Sequence, residues 1–464
     1  MPADITELTK RAHAILAERL ARFELLLDAH AHLLDKNERD LADSIRADLS
    51  DTRGELLLRL RNLAGADAEQ CFRLFTEELN GIDLQPIHDR LRHLDIPRLL
   101  RESTTFLDAG WSHFTASTSL KYPPSLCLAA DPEPSRLEYQ PTSEDASGRV
   151  NVIQLPKLDY GTPLAWPLLF HEIGHVAMSV ANILPNENDR QVNWLLEFAC
   201  DYLALKVGGP AYLLPFLDRA ILTPSYLRPT IKHPAARHRV DAMLEQSKRL
   251  FGETDTLALA TELAQVRTMV AERYEGQIPD ELPIVCESCS EATTSISRAE
   301  AEQHPKGLND LYAKLDNLLI VQPLPSSAPT PTTIADSLAQ GILGASHRPD
   351  HSARAKVEAL REAIGCGATA DSVKALLKAA KAAVCDEPND CVAIVTAAWI
   401  HYLHESSTRF ETLIKLATPE GADLNKAWDS FRNEVGKWDI LILASVDTAA
   451  FHEQIKGLRA TDAQ

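Results

Sequence analysis

The sequence predicts a mainly α-helical protein in which a small α+β core sits between helical N- and C-terminal additions. Three observations carry this expectation. Apolar residues recur at three- and four-residue steps through the first hundred positions. A β-branched run, RVNVIQL at 149–155, stands out in the middle. Two apolar, helix-like windows, PLLFHEIGHVAM and WLLEFACDYLALKVGGP, follow it.

At the N-terminus, Ile5, Leu8, Ala12 and Ile15, then Leu20, Phe23 and Leu27, trace one apolar stripe of the kind that packs into a core. A second apolar stretch around Leu56, Leu57, Leu58 and Leu60 should stop near Gly65. Asp67 is placed to cap a third helix carrying Cys71, Phe72 and Phe75. No chemical motif falls in this region, which extends over 1–128.

Residues 129–275 form the predicted core. DPEPSRLEYQPTSEDASG at 131–148 reads as a polar loop, and RVNVIQL as an edge strand able to pair with an extended peptide. After the two apolar helices, the chain to about Ala236 is rich in proline and small residues. Residues 276–333 read as irregular and end in the proline-rich linker QPLPSSAPTPTT, from Gln322 to Thr333. Residues 334–464 return to helical patterns, in SVKALLKAAKAAV at 372–384 and from Val392 to His404.

Composition narrows the function. Sixty-six acidic against 47 basic residues give a net charge of −19. That balance argues against nucleic acid as a main partner, because neutralising phosphates requires clustered Lys and Arg. The most apolar window, 163–181, contains His171, Glu172 and His175, which argues against a bilayer span. The N-terminal residues lack the basic-then-apolar pattern of a signal peptide. Eight scattered cysteines fit a reducing compartment, so a cytoplasmic protein is expected. Cys286 and Cys289 form a CxxC, but no second close pair completes a four-thiolate zinc site, and reduced thiols are the simpler reading.

The chemistry concentrates in HEIGH. Four residues on a helix make slightly more than one turn, so His171 and His175 share a face and can grip one Zn²⁺. Glu172 lies beside the water such an ion would bind. Burying two histidines and a glutamate among Leu169, Phe170, Ile173, Val176 and Ala177 is costly without a metal. A catalytic zinc takes three protein ligands and keeps a fourth position open. The second apolar helix supplies Glu197 as the third, with twenty-one positions after His175 in which the chain can return. Asp201, one turn on, is placed to accept the second ring N–H of a zinc-bound histidine. Cys200, between them, reads as a small core residue.

HEIGH followed by Glu-Phe-Ala-Cys-Asp resembles the HExxH…ExxxD signature of gluzincins, the thermolysin-like metallopeptidases. That resemblance implies a zincin-like core, Glu197 as third ligand and Asp201 behind the histidines. HPAARHRV, with Arg239 six positions after His233, is similar to the HP-x4-R stretch of the CAAX prenyl protease and HtpX family, in which the histidine faces the substrate carbonyl. Those proteases are membrane-embedded and no transmembrane helix is evident here. The His-to-Glu gap is closer to thermolysin and to the ImmA/IrrE regulatory proteases. The likeness covers Val150 to Arg239.

The expectation is therefore a zinc metallopeptidase that hydrolyses peptide bonds in a protein or peptide. Glu172 is the base, and His233 or else Tyr226 donates to the developing oxyanion. The alternative is a regulatory relative that acts on, or only binds, one dedicated partner through its helical additions. An inert scaffold around a structural zinc has no use for Glu172.

Overall fold

In a computed structural model the described residues are 5–81 and a few positions to 94, strands within 125–155, 162–181, and most of 190–318 and 408–439. They are mainly helical. Cys286, Cys289, the linker Gln322–Thr333 and both C-terminal stretches read above as helices lie outside them.

The N-terminal part is three helices: α1 (Ile5–His30), α2 (Lys36–Leu63) and α3 (Ala68–Gly81). Their ends are fixed by local chemistry. Asp35 and Glu38 form a reciprocal capping box at α2, each backbone N–H donating to the other's carboxylate at 2.9 Å. Gly65, at φ 83°, ends it. Asp67 accepts the Gln70 N–H at 2.8 Å to start α3. The α1 stripe is divided between two cores. Leu8, Ala12 and Ile15 belong to the first, whereas Leu20, Phe23 and Leu27 belong to the second.

A three-stranded sheet comprises β1 (Ser125–Ala130), β2 (Ser135–Tyr139) and β3 (Val150–Leu155). Its order is β1-β3-β2, with β1 parallel and β2 antiparallel to β3. This corrects two expectations. RVNVIQL is the central strand and not an edge, because its backbone groups are paired on both sides. The polar stretch read as a loop contains β2, whose alternation is too short to register between Pro134 and Pro141.

A 3-10 turn (Pro163–Leu168) leads into α4 (Leu169–Ala181), against which β2 and β3 pack. Helix α5 (Arg190–Gly208) lies directly on α4. Two glycines allow the approach. A Cβ at Gly174 would lie 2.9 Å from the Cys200 Cα, and one at Gly208 would lie 2.7 Å from the Phe170 ring. Helix α6 (Pro210–Ile221) follows, within the stretch rich in proline and small residues. Pro210 occupies its first turn, where no backbone donor is lost. Helix α7 (Ala236–Phe251) packs on α5 and α6, and α8 (Asp255–Tyr274) packs on α6, α7 and α1. A hairpin, β4 (Glu281–Val285) and β5 (Ala292–Ser297), then leads through the short α9 (Arg298–Ala301) to α10 (Leu308–Leu318).

The described C-terminal helices, α11 (408–417) and α12 (424–436), join the second core with α1 and α2. Trp428 is fully buried there, and its indole N–H donates to Glu24 at 2.8 Å. Arg22 pairs with Asp439 at 2.8 Å, and Arg61 donates to the Ala417 carbonyl at 3.0 Å. The chain therefore folds back on its own beginning, a relation that no local pattern carries. Among the described residues no helix is long and apolar enough to cross a membrane.

Trp428→Ala should cost about 3–5 kcal/mol, the usual penalty for emptying an aromatic core site. Chemical denaturation measures it. A loss below about 1 kcal/mol would mean that the C-terminal helices do not hold this core.

Candidate metal centre

The one-turn spacing on α4 puts the Nε2 atoms of His171 and His175 3.1 Å apart, with the rings nearly perpendicular. Glu197 reaches in from α5. Its Oε2 is 3.3 Å from His171 Nε2 and its Oε1 is 3.4 Å from His175 Nε2. One donor atom from each of the three lies within 4.8 Å of the other two. A tetrahedral ion with bonds of roughly 2.0–2.1 Å sets its ligand atoms about 3.3 Å apart, close to these separations, with each histidine nearer a different oxygen of Glu197. Glu197 Oε2 is also buried without a well-formed hydrogen bond, although Arg239 Nη1 is 3.2 Å away. Three buried carboxylates, those of Glu172, Glu197 and Asp201, are countered by the largely buried Arg239 guanidinium, by Arg219 acting on Glu172 and by the proton on metal-free His171. A divalent cation at the three donors would offset the excess.

Glu172 is buried beside the ligands without being one of them. Burial pushes its carboxyl up, while His171 and Arg239 draw it down. The Glu197 carboxyl lies well below the ordinary range: burial opposes this, but Arg239 and the two histidines outweigh it.

Asp201 lies one turn along α5, its Oδ1 2.9 Å from His171 Nδ1. Arg239, from α7, grips both of its oxygens at 2.7 Å, and the Tyr212 hydroxyl donates to Oδ1. Although burial works against ionisation, the guanidinium and His171 hold the Asp201 carboxyl well below its usual value. Arg239 in turn lies over the Phe216 ring, 4.6 Å from its centroid.

His233 stands at the mouth of this cluster. Its side chain is 45% exposed, and its Nε2 is 3.7 Å from Glu197 Oε1. Its backbone N–H donates to Thr230 Oγ1 at 2.9 Å, which fixes the turn before α7. Tyr226, the other candidate oxyanion donor, is set apart: its hydroxyl is buried and Arg267 lies 4.5 Å over its ring. Cys200 is a buried thiol beneath Gly174, and burial raises its pKa well above the ordinary value.

Sequence reasoning missed Tyr212 and Phe216. They lie four residues apart on α6, in a segment notable in the sequence only for proline and small residues. The aromatic pair at helical spacing was the only signal, and apolar packing explains such a pair equally well. No protein-family model, curated protein or solved structure matches this chain. The reading of the centre therefore rests on its own geometry.

Two outcomes follow from that geometry. Burial lowers the His171 pKa, but the hydrogen bonds and charges of Asp201 and Glu197 prevail and push it up to about 10. Below that pH the metal-free imidazole carries a proton that an incoming ion must displace. Affinity should thus fall as pH falls, about tenfold per unit for one proton. Calorimetry near pH 8 in buffers of different ionisation enthalpy should register about one proton released per zinc, and none if the pocket is already neutral. Asp201→Asn should weaken zinc binding about 10- to 100-fold, the usual effect of losing a partner behind a ligand. Unchanged affinity on chelator competition would contradict that role.

Proposed function

We propose that the protein is a zinc metallopeptidase of the gluzincin type, with β1–β3, α4 and α5 as a zincin-like core. The observation that carries this reading is the triangle of His171, His175 and Glu197 donors, spaced as on a tetrahedral ion, with the non-ligand Glu172 beside it. A purely structural site needs no such base.

His171, His175 and Glu197 would hold the ion. When bound, zinc supplies an acidified water and polarises the scissile carbonyl. The Glu172 carboxylate takes the proton from the attacking water and returns it to the departing amine. Its raised affinity for protons in the buried pocket suits both transfers. His233 Nε2, exposed at the mouth, donates to the oxygen on which charge develops. An extended peptide is received on β2, which among the described residues is paired on one side only and packs on α4.

The second core is built from α1, α2, α3 and the C-terminal helices, and among the described residues the group of side chains able to hold a metal lies outside it. It favours the narrower alternative within this reading, action on one dedicated partner rather than general digestion. The buried thiols of Cys71 and Cys200 are in keeping with a cytoplasmic setting.

Purified protein should contain close to one zinc per chain, and His175→Ala should lose it. Glu172→Gln keeps all three ligands and removes the base. It should retain zinc while hydrolysis falls by about 10²- to 10⁴-fold. Proteome-wide cleavage mapping of wild type against Glu172→Gln reads both substrate and activity. Cleavage within a few-fold of wild type would exclude Glu172 as the base.

A further inference from the structure

We propose that Tyr212 is a positioning residue of the metal centre, acting through Asp201 on His171; the inference rests on the metal-site reading above. Four donors surround the Asp201 carboxylate, one on Oδ2 and three on Oδ1. Arg239 Nε donates to Oδ2 and its Nη2 to Oδ1, both at 2.7 Å. That fork fixes the plane of the carboxylate. Being shared across both oxygens, it does not favour the oxygen that faces the histidine. Tyr212 supplies this asymmetry. Its hydroxyl donates to Oδ1 alone, the oxygen 2.9 Å from His171 Nδ1, and lies 3.4 Å from that nitrogen itself.

The ionised Oδ1 accepts from His171 Nδ1, and the Tyr212 hydroxyl fixes where that oxygen sits and so how the imidazole turns Nε2 toward the donor cluster. Packing alone does not account for the hydroxyl. Tyr212 is fully buried, where phenylalanine would fill nearly the same volume without a polar atom to satisfy. The same face of α6 supports the other donor, since Phe216 lies under Arg239. Its next turn is tied to α1 by a buried ion pair between Asp218 and Arg11. Helix α6 therefore holds in place the carboxylate oxygen that orients His171.

The test uses the full chain loaded with zinc or Co²⁺. Phenylalanine fits the same space, so Tyr212→Phe folds, and thermal unfolding of the metal-free form verifies it. Zinc dissociation, measured by chelator competition, should rise about 3- to 10-fold, a smaller step than loss of Asp201 itself. The d–d bands of the Co²⁺ form should shift. In an Asp201→Asn background, Tyr212→Phe should add less than about twofold, because its route is already cut. Wild-type affinity with an unchanged Co²⁺ spectrum would overturn the role of Tyr212 alone. So would an undiminished effect in the Asp201→Asn background. Wild-type protein that binds no zinc would overturn the metal reading, and this inference with it.

Discussion

The centre depends on how closely α4 approaches α5. Gly174 lies in the turn between His171 and His175, and it faces Cys200, in the turn between Glu197 and Asp201. With no room for a Cβ between them, the two helices meet at backbone distance. Only at that separation does a glutamate on one helix reach two imidazoles on the other, with contacts of 3.3 and 3.4 Å. A larger residue at either position would force the backbones apart, and the donors would no longer converge. The small side chain of Cys200 is thus part of the geometry although its thiol takes no part in the chemistry.

Electrostatics adds a second constraint. Carboxylates gathered in a buried space repel one another and lose hydration, a cost that neutralisation or a cation must offset. Arg239 meets part of it by spanning Asp201 and Glu197. An ion at the three donors would meet the rest. The neighbouring elements exist to hold these few groups. Helix α7 brings Arg239, α6 brings Tyr212 and Phe216, and the turn at Thr230 brings His233. Packing around them is apolar and continuous, running from Trp166 through Phe198 to Tyr226.

What could be read from the sequence was local. HEIGH, Glu197 and Asp201 share helix faces whose periods are visible along the chain, and the caps at Asp67 and Gly65 are one-residue signals. What could not be read was relational. RVNVIQL shows β-branched residues, but its two neighbours come from segments without matching patterns, so its central place was hidden. Helix α6 contains two prolines and is stabilised by tertiary contacts rather than by propensity. The return of α11 and α12 onto α1 depends on contacts some four hundred residues apart, such as Trp428 with Glu24. Helix α1 is consequently the spine of the molecule. One end lies in the core of the metal centre and the other in the helical core, and its Arg11 reaches Asp218 on α6.

The central claim is that two imidazoles and one carboxylate, and no thiolate, hold a zinc ion. X-ray absorption at the zinc edge of the purified protein tests it directly. The account predicts a shell of nitrogen and oxygen at about 2.0–2.1 Å with imidazole scattering beyond it. A sulfur shell at about 2.3 Å would place the zinc on cysteines and contradict the assignment to His171, His175 and Glu197.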